Sequence, residues 1–312
     1  MTVRSVFRSS RQSIRGAVRT VQRTQGGPKA AYKGFLFTLP ILLFFIAFKF
    51  WPIGHAIFTS FTDASPLNRD PSFVGLENYN ALVHDSQFVR SLRITLYYVV
   101  GTVAPLMVAS LGLALMLNQS FKGRSAFRLL LFLPSLVPWI VVPILWRFLF
   151  HPYGLANQML GSVGISPISW LTTKIAVIPA FIIATEWRFV PLFMIVYLAG
   201  LQSISQEMYD AATVDGASVP KQFRSITLPL LKPTILVVLV MATTMTIRNL
   251  VLALVMTRGG PDDASTILPL FIFEQGFRVQ RLGYASAASV VLLIIMIVFA
   301  AFSVHVFQRD ED

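Results

Sequence analysis

Apolar residues in this chain do not alternate with polar ones; they run on. Six long stretches are almost continuously hydrophobic: Phe35 to Phe61, Leu92 to Leu117, Ala126 to Phe150, Ile175 to Leu201, Pro233 to Thr257 and Tyr284 to Phe307. A hydrocarbon core about 30 Å thick is crossed by roughly 20 such residues in helical form. Each stretch therefore predicts one membrane-spanning helix, and the fold class is an all-α membrane protein of six spans. Prolines recur inside them, among others Pro40, Pro52, Pro105, Pro134, Pro138, Pro143, Pro179 and Pro191. They would break helices in water, whereas packed membrane helices re-satisfy the freed carbonyls, so kinked spans are expected.

Composition agrees with the pattern. The 312 residues are 55% hydrophobic and 13% charged, and the mean hydropathy is +0.67, well outside the soluble range. There is no cysteine, which excludes disulfides, thiol nucleophiles and cysteine metal sites. His55, His84, His151 and His305 show no metal-ligand spacing and are read as packing or interfacial residues.

The net charge of +12 would suggest a nucleic-acid ligand in a soluble protein, but its placement points to membrane topology instead. Residues 1–33 hold eight Lys or Arg and no acid, and Lys122, Arg124 and Arg128 add three more between the second and third stretches. The segments Thr62 to Arg93 and Arg258 to Gly283 balance six cations with seven acids. The cation bias of cytoplasmic loops then puts both termini on the cytoplasmic side. The chain divides into a basic tail, 1–33, and a membrane domain, 34–312. In the tail, Arg4, Arg8, Arg11, Arg15, Arg19 and Arg23 form a stripe beside Phe7, Ile14, Val18 and Val21, the pattern of an amphipathic helix on an anionic leaflet. A disordered tail that only fixes topology is the other reading, and no cleavable signal peptide is expected.

Four ionisable residues fall well inside the spans: Lys49, Glu186, Arg188 and Arg248. Each costs roughly 2.5 to 3.5 kcal/mol near a helix centre, so such groups face a pore, a partner or one another. Lys49 can snorkel outward. Glu186, Trp187 and Arg188 place an acid, a flat aromatic and a base midway along the fourth span, and Arg248 with Asn249 occupies the middle of the fifth. That combination suits a hydroxyl-rich or charged solute in a watery pathway, where Arg offers bidentate recognition of an anion. Structural ion pairing of Glu186 with Arg248 or Arg188 is the alternative.

Between the fourth and fifth spans lies a polar segment, residues 203–232. Ser205 is a good N-cap, Glu207 sits in the favourable first turn, and Gly216 can end the helix in a left-handed conformation. Ser218 can cap a second helix, which Pro229 and Pro233 are expected to stop. Glu207 and Asp210 share a face, while Ala211 and Ala212 allow close approach. The parts are those of a cytoplasmic docking element.

The segment "YDAATVDGASVPKQFRSITLPLLKP" (Tyr209 to Pro233) closely resembles the EAA loop of permease subunits in binding-protein-dependent ABC importers, in the sugar-uptake group related to the maltose and glycerol-phosphate systems. "FVGLENY" (Phe73 to Tyr79), "GLALMLN" (Gly112 to Asn118), "RLLLFLPSLVP" (Arg128 to Pro138), "TRGGPDDAST" (Thr257 to Thr266) and "LGYASAASVV" (Leu282 to Val291) resemble further segments of that group, in family order. The resemblance implies a six-span type I importer permease fold with a coupling helix between helices 4 and 5. Glu207, Asp210, Ala211, Ala212, Asp215 and Gly216 would then dock on a cytoplasmic ATPase, with Asp210 replacing the usual Glu. It also implies partners: two ATPase subunits that carry ATP and magnesium, a second and different permease, and an extracytoplasmic solute-binding protein. The chain itself would bind no cofactor, and it holds no Gly-x-x-x-x-Gly-Lys-Ser/Thr loop for nucleotide. It would be a non-catalytic subunit.

By the same resemblance Glu186, Trp187, Arg248 and Asn249 line the sugar pathway, Glu186 and Arg248 standing where the maltose system has Asn; Arg188 joins them by its place in the middle of the fourth span. The cargo is then a sugar, an anionic sugar derivative or a glycerol phosphodiester. A proton-coupled secondary transporter built around Glu186 is a reading from another class. A multi-pass membrane enzyme is a further one, without a nucleophile or a second carboxylate to serve it.

Overall fold

The computed structural model describes residues 28–308, with side chains from 35 to 307. The basic stripe from Arg4 to Arg23 lies outside the described residues. Two compact units divide between Ala56 and Ile57. In the first, α1 (Pro28–Phe45) passes through a π-helical turn, Ile46–Phe50, into α2 (Trp51–Thr59). Lys49 lies in that turn, 5.8 Å from the centre of the Phe45 ring.

The second unit starts at Ile57, within α2, and continues through a polar loop into α3 (Glu77–His84). Asp85 then caps α4 (Ser86–Asn118): one carboxylate oxygen accepts from the amides of Gln87 at 2.7 Å and Phe88 at 3.3 Å. The other accepts from the Tyr284 hydroxyl at 2.5 Å, at the start of the last helix. Next come α5 (Arg124–Leu136), α6 (Val141–Leu149), α7 (Leu155–Ser162) and α8 (Val177–Gln202). A polar hairpin follows, α9 (Gln206–Val214) and α10 (Val219–Gln222). Then α11 (Lys232–Ile247), α12 (Leu250–Met256), α13 (Leu268–Phe273) and α14 (Leu282–Gln308) complete the chain. An isolated bridge, Thr62 to Phe73, is the one β feature among the described residues.

The core lies where α4, α8 and α11 pack. Tyr98, Val103 and Leu106 of α4, Phe181, Phe193 and Met194 of α8, and Val238 and Ala242 of α11 are buried there. In lipid such packing is driven by side-chain fit rather than by water. Gly200 permits one tight crossing: a Cβ there would lie 2.5 Å from the Thr234 hydroxyl. The two spans that flank the hairpin therefore meet closely at its base.

Five helices are long and apolar enough to cross a membrane among the described residues: Phe35–Thr59, Ser86–Asn118, Val177–Gln202, Lys232–Met256 and Leu282–Phe307. The expected third span departs from a simple kink. It is a broken pair, Arg124–Leu136 and Val141–Leu149, bent by 100°. Pro138 removes an amide and forces Val137 to an extended conformation (φ −64, ψ 126), which ends α5. Two other features differ from the sequence reading. Pro229 does not stop the second hairpin helix, because a π-helical turn, Phe223–Thr227, precedes it and the helix continues through Leu228–Leu230. The segment after Arg258 is no plain loop, since α13 buries Leu268, Leu270 and Phe271. Seven or so apolar residues are too few for a span, so the length criterion passed over it.

Candidate functional site

Successive residues on a helix point about 100° apart, and the middle of α8 sends four neighbours to three surroundings. Thr185 turns into the core, where its hydroxyl donates to the Phe181 carbonyl at 2.8 Å. It then accepts from the Tyr98 hydroxyl of α4, 2.7 Å away. Glu186 and Trp187 line a cavity of 490 Å³ with Leu130, Pro134 and Trp146. One Glu186 carboxylate oxygen is buried without a hydrogen-bond partner among the described residues. The Trp146 and Trp187 rings meet edge to face at 6.0 Å.

Arg188 goes to the break in the third span. Its Nη1 donates to the carbonyls of Pro134, Ser135 and Val137, and the guanidinium lies 5.6 Å from the Trp139 ring. Trp139 in turn stacks on Phe189 at 5.1 Å with planes 7° apart. A helix end leaves carbonyls without partners, and this cation supplies the donors. Glu186 pairs with neither Arg188 nor Arg248 among the described residues.

The fifth span is interrupted too, at Arg248 and Asn249, between α11 and α12. Asn249 (φ −81, ψ 61) is the centre of an inverse γ-turn, with the Leu250 amide on the Arg248 carbonyl at 2.9 Å. Its side chain is 3% exposed and donates to the Tyr98 hydroxyl at 2.7 Å. Arg248 is exposed. Counted from the helix ends away from the hairpin, Glu186 is nine residues in from Val177 and Arg248 eight in from Met256. The two charges thus sit at matching depths, roughly 12 to 14 Å along their helices. A separate groove of 370 Å³, lined by Leu96, Val100, Leu239, Ile295 and Phe299 among others, offers apolar walls and no such chemistry.

In the hairpin, Ser205 caps α9 by accepting from the Glu207 amide at 3.3 Å. The helix ends as the sequence suggests: Gly216 has φ +73, its amide reaches the Thr213 carbonyl at 3.0 Å, and the Ala217 amide reaches Ala212 at 2.9 Å. Open space surrounds Gly216, so a larger residue there would meet no clash and would be opposed by backbone strain alone. Gln222 ties the arms together through Thr213 at 3.0 Å and the Ala217 carbonyl at 3.1 Å, and Tyr209 meets Thr227 at 2.9 Å. Glu207, Asp210, Ala211, Asp215 and Gly216 are exposed and Ala212 is half-buried. Met208, Val214 and Val219 add exposed apolar surface beside them.

The chain as a whole is similar to known membrane proteins. The family model of the binding-protein-dependent transport system inner membrane component matches residues 98–310. The chain belongs to that family. The permease is 34% identical over 285 residues to the trehalose/maltose transport system permease protein MalF of Thermococcus litoralis, covering 90% of this chain and 96% of the relative. It is 34% identical over 273 residues to the arabinooligosaccharides transport system permease protein AraP of Bacillus subtilis, covering 86% of each. Among solved structures, a bacterial ABC transporter involved in the import of the acidic polysaccharide alginate superposes with a TM-score of 0.79 at 25% identity, over 90% of this chain and 96% of that one. The permease is thus a non-catalytic, multi-pass membrane subunit of an ABC importer.

Sequence reading missed Tyr98, Thr185, Trp139 and Trp146. The signal available was a pair of hydroxyl-bearing aromatics, Tyr97 and Tyr98, inside an apolar run; adjacent helical positions face different ways, and the one that is buried must find a partner for its polar end.

Proposed function

We propose that the permease forms half of the translocation pathway of an ATP-driven carbohydrate importer, and that Glu186, Trp187 and Arg248 face the moving solute, with Arg188 and Asn249 building the wall behind them. The observation that carries this reading is an aromatic-lined cavity holding an unpaired carboxylate on one span, together with an exposed guanidinium at the break of another, each midway along its helix. Flat rings stack on sugar faces while charged groups bind hydroxyls and anions. Relatives that carry trehalose, maltose and arabinooligosaccharides support a sugar cargo. An anionic sugar is the second reading, favoured by the exposed Arg248 and by the acidic polysaccharide of the similar importer.

In this reading the bent pair counts as a sixth span, and both termini and the hairpin lie in the cytoplasm. Glu207, Asp210, Ala211, Ala212, Asp215 and Gly216 couple the spans to one of two ATPase subunits, which hold ATP and magnesium. A second permease completes the pathway, and a solute-binding protein delivers cargo to the opposite face. The exposed acids and the Met208, Val214 and Val219 side chains support docking on a water-soluble partner.

The test is ATPase activity of the assembled complex with its solute-binding protein, together with uptake. Loaded binding protein should raise hydrolysis. Asp210→Lys reverses the docking charge and Gly216→Val strains the turn, so each should abolish uptake and stimulation while the subunit still inserts. Uptake that survives loss of the ATPase would establish a proton-coupled carrier instead.

A further inference from the structure

We infer that Tyr98 is a positioning residue of the pathway: through Asn249 it fixes the interruption in the fifth span and so keeps Arg248 turned out of the helix core. The inference rests on the reading of Arg248 as a pathway residue.

Three spans meet at the Tyr98 hydroxyl, which is fully buried. Its bonds have one consistent direction. Thr185 spends its single proton on the Phe181 carbonyl, so Tyr98 donates to Thr185 and accepts from the Asn249 amide. The chain of bonds runs from Asn249 to Tyr98 to Thr185 to Phe181 and joins α12, α4 and α8. Every member needs the next, because a buried donor left without an acceptor loses far more than a single bond contributes.

Arg248 and Asn249 are neighbours at an irregular turn, so their side chains cannot both enter the core. The turn itself is weakly determined, with one 2.9 Å bond from Leu250 to Arg248 in place of the helical ladder. What selects Asn249 for the interior is the Tyr98 hydroxyl. Its other side-chain end, Oδ1, is buried and makes no hydrogen bond among the described residues, so the contact to Tyr98 is the whole of its side-chain anchorage. Replacing that hydroxyl strips Asn249 of its anchor. The amide then gains by turning out of the core toward water, and the same rotation carries position 248 away from it. Tyr98 touches no cargo in this account and acts on selectivity only through where it leaves Arg248.

The native chain has no cysteine, so Arg248→Cys supplies a single thiol in this subunit, whose labelling is read on the subunit itself after reaction of the assembled complex in membrane vesicles. A charged, water-soluble methanethiosulfonate should label it readily with Tyr98 in place. Adding Tyr98→Phe should slow labelling roughly tenfold, the order expected from one stranded buried amide. Thr185→Val, which removes the hydroxyl that accepts from Tyr98, should slow it in the same direction, and Thr185→Ser should restore the parent rate. Equal labelling with Tyr98 and with Tyr98→Phe, in complexes assembled to the same extent, overturns the inference and leaves Arg248 in the pathway. If Tyr98→Phe fails to assemble, equal rates for Thr185→Val and Thr185→Ser overturn it. A thiol that the reagent does not reach even with Tyr98 present overturns the pathway reading of Arg248, and the inference with it.

Discussion

Two spans of this permease are interrupted, and they are repaired by different means. The third bends by 100° and opens several carbonyls at once, which one guanidinium, Arg188, gathers from a neighbouring helix. The fifth keeps its course as one 25-residue span and gives up little ladder, and a neutral chain of hydrogen bonds through Asn249 and Tyr98 holds it. A large break draws in a charge because only a charged donor set meets several bare carbonyls in a low-dielectric setting. A small break needs one amide. The difference explains why two arginines that look alike in sequence differ in fate: Arg188 is engaged at a helix end, while Arg248 stands exposed beside an asparagine that does the holding.

The comparison is most easily broken at Arg188. Arg188→Ala should destabilise the complex by about 3 kcal/mol, since hydrogen bonds to charged groups contribute about 1.5 to 3 kcal/mol and the carbonyls are left bare. Arg188→Lys keeps the charge but loses the planar fork and its placement beside Trp139, and should fall between the two. The check is the fraction of complex that survives graded heating, followed by size-exclusion chromatography. Equal survival of Arg188→Ala and the parent would mean that the third span holds its bend unaided.

Much of this was legible in the residues. Long apolar runs gave the spans, because span length is set by the bilayer and requires no knowledge of neighbours. The hairpin was legible because its determinants are local: Ser205 caps its own helix, and Gly216 takes φ +73 within four residues of the Thr213 and Ala212 carbonyls that the turn satisfies. The roles inside the membrane were not. Glu186, Trp187, Arg188, Arg248 and Asn249 stood out by polarity, yet their functions depend on residues 50 to 150 positions away, such as the Ser135 carbonyl and the Tyr98 hydroxyl. Pro138 announced a kink but not its size, and Pro229 suggested a stop that a π-helical turn accommodates.

A smaller effect is expected at the fifth span. Asn249→Leu keeps the volume but removes the donor to Tyr98, whose hydroxyl still has Thr185 to serve. Interhelical hydrogen bonds in membranes average below 1 kcal/mol, and the loss of an amide already bare at one end adds little. The same heating assay should therefore show a drop of about 1 kcal/mol, well under that of Arg188→Ala. A drop as large as that of Arg188→Ala would show that the fifth-span break carries as much load as the third.

The smallest effect sharpens the assignment of cause at the third span. Proline and arginine both act there, but in different ways: Pro138 withholds an amide and biases Val137 to extended geometry, whereas Arg188 rewards the bent state by binding its carbonyls. Pro138→Ala restores the amide and removes the bias, which is a change of about 1 kcal/mol or less where tertiary contacts persist. Arg188 and the Trp139 to Phe189 stack remain in place and favour the bend. The angle should therefore survive the substitution. Two spin labels on cysteines introduced into the otherwise cysteine-free chain, one on α5 and one on α6, report it as a distance. An unchanged distance in Pro138→Ala and a lengthened one in Arg188→Ala would assign the bend to the guanidinium. The reverse pair of results would assign it to the proline and make Arg188 a passenger on a break already formed.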